Sequence, residues 1–175
     1  MRYAFITVWR TAVQVEPVWQ AITRVEEWPT WWRGVKRVEK VRDGDERGIA
    51  ALHEFVWRSR LPYDLSFTVE TVQVVEHSLI VGHAKGELEG VGRWTFAGQQ
   101  GGTCVEYDWR VRTTKRWMNL LAPIAYPLFV WNHNTVMRWG AEGLGRVLGA
   151  KVQSQSRRVT SNSPRFMNGA GARQT

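Results

Sequence analysis

Hydrophobic and polar positions change period several times along the chain, and each change predicts an element. Tyr3 to Val13 is dense in β-branched and aromatic residues, with Phe5, Ile6, Thr7, Val8 and Trp9 in succession, which is the composition of a strand. Pro17 follows where a helix can begin, because its missing N–H costs nothing in a first turn, and Val18, Trp19 and Ile22 give that helix an apolar stripe. Pro29 disfavours the α conformation at Trp28, so Trp28-Pro29-Thr30-Trp31-Trp32 predicts a restart and a second short helix ending near Gly34.

From Val35 the period is two. Val35, Arg37, Glu39 and Val41 alternate with Lys36, Val38, Lys40 and Arg42, a strand without a consistently apolar face. Asp43-Gly44-Asp45 predicts a hairpin turn. Further strands are expected over 48–59, 64–76, 79–86, 88–97 and 103–113, broken by Leu61-Pro62, Glu76-His77-Ser78, Gly86 and the run from Gly98 to Gly102. Regular turn signals of this kind indicate an antiparallel meander. The last strand is the plainest. Val105, Tyr107, Trp109 and Val111 point one way and Glu106, Asp108, Arg110 and Arg112 the other, so one face is expected buried and one wet. Leu88, Gly90, Gly92, Trp94 and Phe96 share one face of the strand before it.

After Lys115 the period becomes helical. Phe129, His133, Val136, Met137, Gly140, Leu144, Val147 and Leu148 recur at spacings of three and four, an apolar stripe on one long helix. Arg138, Glu142 and Arg146 occupy its other side, and Pro123 and Pro127 kink or interrupt its approach. Residues 152–175 are polar, Gly-rich and without period, and are expected to form a basic, disordered tail behind a single domain spanning 1–151. A sheet with one apolar face must cover that face, and the long helix is the cover. The expected fold is therefore α+β: a curved antiparallel sheet of about seven strands wrapped around a long C-terminal helix. Two short helices lie between the first two strands, and a cavity is left between sheet and helix.

Composition narrows the function. The 175 residues are 43% hydrophobic and include 11 Trp, too many for a mainly disordered chain. The single cysteine, Cys104, excludes an internal disulfide framework and a Cys-rich zinc module. The N-terminal MRYAFITVWRT does not read as a signal peptide, so a cytoplasmic setting is expected. Of the net charge of +8, Lys151, Arg157, Arg158, Arg165 and Arg173 supply five with no acid among them, leaving 19 basic against 16 acidic groups in residues 1–150. That near balance argues against a nucleic-acid face on the domain. The 21 uncharged residues between Arg116 and Arg138 are interrupted by Asn119, Asn132, His133 and two prolines, so no transmembrane segment is expected. The four histidines never fall at metal-ligand spacing, no glycine run lies in a phosphate-cradling context, and no serine sits in a nucleophile elbow. Neither a metal nor a cofactor is expected.

Several segments in order resemble a known family: Pro17-Val18-Trp19-Gln20-Ala21-Ile22, Trp28-Pro29-Thr30-Trp31-Trp32, Leu61-Pro62-Tyr63, Gly86 to Trp94, Thr103 to Val111, and Trp131-Asn132-His133 followed by Val136-Met137 and Gly143-Leu144. Over about residues 3–150 the chain resembles the START-like, or SRPBCC, superfamily and its polyketide cyclase/dehydrase-like branch. The resemblance implies a helix-grip fold whose cavity takes apolar or aromatic molecules. Its members include carriers, receptors and aromatase/cyclases, with no universal catalytic motif to carry over.

The candidate lining follows from phase: His53, Phe55, Phe67, Gly90, Gly92, Trp94, Tyr107, Trp109, Phe129, His133 and Met137. His133 lies mid-stripe on the long helix, either as a neutral core histidine bonded to a strand group or as a cavity handle that orients a ligand or moves a proton. His53 shares a face with Phe55 and Trp57, and Tyr63 and Tyr107 can present hydroxyls. Gly90 and Gly92 give a ligand room or let the helix approach, and Trp31 and Trp32 are candidate gate residues. Two functions stay open. One is binding or transport of a hydrophobic or aromatic, lipid- or polyketide-like molecule. The other is a cyclase/dehydrase-like enzyme using His53, Tyr107 and His133 as acid/base groups. A third reading, an adaptor whose basic tail meets an anionic partner, rests on charge alone.

Overall fold

Alternation decides which side of the sheet is dry. In β1 (Arg2–Thr11), Tyr3, Phe5, Thr7 and Trp9 all face inward and are buried. The computed structural model describes residues 2–58, 64–114 and 122–158. After β1 come α1 (Val15–Thr23), a 3-10 turn (Val25–Glu27), α2 (Trp28–Trp31), β2 (Val35–Arg42), β3 (Leu52–Arg58), β4 (Asp64–Val75), β5 (Leu79–Gly86), β6 (Leu88–Gln99), β7 (Gly102–Thr113), α3 (Ala122–Leu148) and β8 (Val152–Arg158). The strands form one eight-stranded antiparallel sheet in the order β2-β3-β4-β5-β6-β7-β1-β8. This is the sheet-and-helix arrangement that alternation predicts and the helix-grip fold that the resemblance implies, with its inner face covered by α3 and the short helices.

Four expectations are corrected. The sheet has eight strands because residues 152–158, read from sequence as tail, pair with β1 in the register Thr7↔Ser156 and Trp9↔Ser154. Trp9 Nε1 donates to Ser154 Oγ at 3.2 Å, and the Thr7 and Ser156 hydroxyls lie 2.9 Å apart. The serines that make this segment look unstructured are thus the partners of polar groups on the inner face of β1. Polar composition also suits a strand whose far side is a sheet edge. The β2–β3 connection is no tight hairpin but spans residues 43–51, folded around Asp45, whose Oδ1 accepts the N–H groups of Arg47 and Ile49 at 2.9 and 2.8 Å. The apolar stripe of α3 is narrower than its spacing implies, since Leu144 is fully buried but Val147 is 52% exposed.

The fourth correction concerns Trp31 and Trp32, which are core residues rather than a gate. Trp32 Nε1 donates to the Val136 carbonyl at 2.9 Å, and Arg146 Nη2 donates to the Trp31 carbonyl at 3.2 Å. Both bonds tie α2 to α3. Trp28 Nε1 donates to the Ile22 carbonyl at 3.1 Å and closes the turn between α1 and α2. Buried indoles contribute through area and through satisfaction of the one N–H they carry, and here those bonds fix α3 over the sheet. The helix continues through Pro127, which lies within its first two turns, where a missing N–H removes only one ladder bond. Among the described residues no helix is long and apolar enough to cross a membrane. Leu61-Pro62-Tyr63, and with it the candidate Tyr63, lies outside the described residues.

Candidate functional site

The sheet curls around two adjacent chambers rather than one. The helix-side chamber, of about 140 Å³, lies between α3 and the sheet and is lined by Tyr3, Phe5, Phe129, His133, Val136 and Met137 among others. The sheet-side chamber, of about 580 Å³, lies between α1, the 43–51 connection and strands β3 to β7, and takes His53, Phe55, Val69, Gly82 and Gly92 into its wall. No described residue of α3 lines it, so the larger space is not the one expected beneath the long helix. Trp28, Trp57, Phe67, Trp94, Tyr107 and Trp109 line both chambers and form the waist between them.

Strand register builds that waist. Trp94 on β6 is opposite Tyr107 on β7, and their rings stack at 4.0 Å and 21°. Tyr107 in turn stacks on Trp109 at 5.6 Å and 23°. The rings can lie flat across the sheet because Gly92 is opposite Trp109, and a Cβ there would meet the Trp109 ring at 2.9 Å and the Tyr107 hydroxyl at 3.0 Å. Gly90 has a different role from the one expected. It lines neither chamber, and a Cβ on it would stand 2.0 Å from the Arg110 carbonyl oxygen. It is a point of close backbone approach between β6 and β7.

The buried polar groups are few and uncharged; Glu46, Arg47 and Glu76 also line the sheet-side chamber but are exposed. Burial, with a smaller contribution from Asp108, holds the Tyr107 phenol well above its ordinary pKa. It is therefore a neutral donor or acceptor at any physiological pH. Burial lowers His133 to about 3, so its imidazole is neutral as well. Its ring stacks on Phe5 at 4.1 Å and 13°, and its Nε2 faces Thr7 Oγ1 at 3.5 Å. His133 is thus a core histidine bonded to a strand group that also lines the helix-side chamber. Burial also lowers His53, partly offset by the charge of Glu26.

Of the three acid/base candidates, Tyr107 and His133 line one chamber, while His53 lies in the other and shares with Tyr107 the sheet-side wall. Phe67, Trp94 and Trp109 stand at the waist; Phe55 and Gly92 are on the sheet side, and Phe129 and Met137 on the helix side. Sequence reasoning missed Tyr3, Phe5, Trp28 and Val136 among the lining residues, and two further residues besides. Trp57 lines both chambers, and its phase with His53 and Phe55 already marked it. Thr7 is a buried hydroxyl on the inward phase of an otherwise aromatic strand. Among the described residues no cluster of His, Cys, Asp and Glu is placed to hold a metal ion.

Comparison with known proteins agrees with this architecture. A comparison with curated protein sequences returns no match. Among solved structures, the di-domain ARO/CYC BexL from the BE-7585A biosynthetic pathway superposes with a TM-score of 0.64 at 17% identity, over 83% of this chain and 48% of that one. The chain therefore spans about half the length of that di-domain protein. A START superfamily protein from Mycobacterium smegmatis superposes with a TM-score of 0.62 at 10% identity, covering 83% of this chain and 98% of that one. The Zhui aromatase/cyclase from Streptomyces sp. R1128 gives 0.56 at 11% identity, over 85% and 94%. Identities this low establish the fold alone. The sequence model of one family matches residues 11–131, well over half of the chain, and with the helix-grip sheet around it this protein belongs to the polyketide cyclase/dehydrase and lipid transport family.

Proposed function

We propose that the protein binds an uncharged aromatic or otherwise hydrophobic small molecule in its two chambers. The observation that carries this reading is the waist of six aromatic side chains between spaces of about 140 and 580 Å³. Ligand sites are typically concave, mostly apolar, and carry a few placed polar groups, and Tyr107, His53 and His133 are groups of that kind. Away from Glu46, Arg47 and Glu76, which are exposed positions of the sheet-side wall, an ionised headgroup finds no counter-charge, and a buried unpaired charge is strongly disfavoured. The flat stack of Trp94, Tyr107 and Trp109 favours a ligand with a planar face.

The test is titration with N-phenyl-1-naphthylamine, an uncharged three-ring probe whose fluorescence rises in apolar surroundings. Saturable uptake of one probe per chain is expected, and unsaturable partition would overturn the reading. A second reading, turnover of the bound molecule as in the aromatase/cyclases, is favoured by one observation, the presence of both Tyr107 and His133 in the helix-side chamber. Neutral donors and acceptors facing a bound ring are suited to proton transfer in an aldol cyclisation or dehydration, once geometry brings them to the reacting atoms. Conversion of a bound poly-β-keto compound by the wild type, lost in Tyr107→Phe and in His133→Phe, would support it; equal turnover in both variants would remove these residues from the chemistry.

A further inference from the structure

The helix-side chamber is the size of a single ring. An apolar cavity of roughly 150 Å³ in a protein core takes up benzene, and this chamber measures about 140 Å³. It differs from a purely apolar void in carrying a few polar side chains on its wall, Tyr107, Thr113, Asn132 and His133. The His133 ring is withdrawn from bulk solvent yet keeps accessible surface, because it lines the chamber. Its one hydrogen-bond partner among the described residues is Thr7, on the Nε2 side. The Nδ1 atom of this neutral imidazole is therefore left with an unused donor or acceptor.

Thr7 does not act alone. Its hydroxyl is 2.9 Å from Ser156 Oγ and 3.5 Å from His133 Nε2, so three groups from β8, β1 and α3 form one relay. A threonine hydroxyl has one proton. If it points to Ser156, Thr7 accepts from Nε2–H and Nδ1 presents a lone pair. If Ser156 donates instead, the Thr7 proton turns to Nε2 and Nδ1 carries the hydrogen. In either arrangement the nitrogen left over has one hydrogen bond to offer, which a ring hydroxyl, both donor and acceptor, can take. A hydroxyl left without a partner in an apolar site disfavours binding strongly, so the polar groups of this wall, His133 Nδ1 among them, bear on which rings are accepted.

We infer that the helix-side chamber is a discrete subsite for one uncharged, oxygen-bearing aromatic ring of the phenol class. His133 Nδ1 is its hydrogen-bond partner, and Ser156 is a positioning residue acting through Thr7. This inference rests on the proposed binding function and names the ring chemistry of one chamber.

The experiment is calorimetric titration of the full chain with phenol and with benzene, probes that differ by one hydroxyl. In the wild type phenol is expected to bind at least as tightly as benzene. In His133→Phe, which keeps the ring against Phe5, the ratio of phenol to benzene affinity is expected to fall about tenfold or more, with benzene retained. Ser156→Ala is expected to lower the same ratio severalfold without changing benzene, and Ser156→Thr to restore it. A merely structural role for Ser156 would move both ligands together. Thr7→Val, close in volume, gives the same reading should His133→Phe fail to fold. The ¹⁵N resonance of His133 Nδ1 is expected to shift with phenol and not with benzene. A phenol-to-benzene ratio equal in the wild type, His133→Phe and Thr7→Val would overturn the inference. Failure of both ring probes together with N-phenyl-1-naphthylamine would overturn the binding function itself, whereas uptake of the naphthylamine with no ring selectivity would remove only the subsite.

Discussion

Replacing Gly143 by alanine sets two well-defined effects against each other. In an exposed helix the change is worth about 1 kcal/mol in favour of alanine. In α3 it is not exposed, because a Cβ at this position would stand 2.0 Å from the Trp31 carbonyl oxygen and 3.1 Å from the Trp31 ring. Ordinary contacts begin near 3.4 Å, so α2 and α3 must separate by about an ångström or more. The obstacle is backbone held by the Arg146 bond to that same carbonyl, not the far end of a flexible side chain. Overpacking of this kind costs about 1–3 kcal/mol, and an overlap this deep belongs at the upper end. Subtracting the propensity gain leaves a loss of about 2 kcal/mol, or about 4–8 °C in Tm for a chain of this length. Thermal and urea unfolding followed by circular dichroism measures it. A Tm equal to or above that of the wild type would show that α3 is not seated on α2 as described, and with it that Val136 and His133 are not held where the chamber needs them.

Three further outcomes follow from the same geometry. His133 has a folded pKa of about 3 against an ordinary 6.5, so the unfolded chain takes up a proton that the folded chain refuses. Its contribution is therefore complete above pH 6.5 and is lost as pH falls towards 3, with a slope of about 1.4 kcal/mol per pH unit. The stability difference between the wild type and His133→Phe should shrink by about 3 kcal/mol from pH 7 to pH 4, and a difference independent of pH would contradict the burial. Ending the chain at Lys151 removes β8 and leaves the Thr7 hydroxyl and the Trp9 N–H without Ser156 and Ser154. Chemical denaturation should show a loss of about 2–4 kcal/mol, whereas unchanged stability would return this segment to the role of a tail. Gly92→Ala should cost about 1–2 kcal/mol by crowding Trp109 and Tyr107 and should weaken N-phenyl-1-naphthylamine uptake severalfold; unchanged uptake would place the probe away from the waist.

Much of the fold was legible because alternation is a local signal. Val105, Tyr107, Trp109 and Val111 had to share a face whatever lay beyond them, and the meander from β4 to β7 follows from turn chemistry and short connections. What sequence could not show depends on partners distant in the chain. Ser154 and Ser156 are polar residues on an unpatterned segment until Trp9 and Thr7, some 145 residues away, supply their bonds. Trp31 and Trp32 resembled a gate because their neighbours on α3 are more than a hundred residues downstream. The site shows the same division. Phase alone placed Trp94, Tyr107 and Trp109 on the inner wall. It could not show that His53 and His133 line separate chambers, since that depends on where α1 and α3 end over the curved sheet.

The central claim is that the two chambers hold an uncharged aromatic molecule, and native mass spectrometry of the purified chain tests it most directly. The expected result is a chain carrying one small molecule, either acquired on expression and released by solvent extraction with aromatic absorbance, or taken up one-to-one from added N-phenyl-1-naphthylamine. A bare chain mass that persists in excess probe would contradict it.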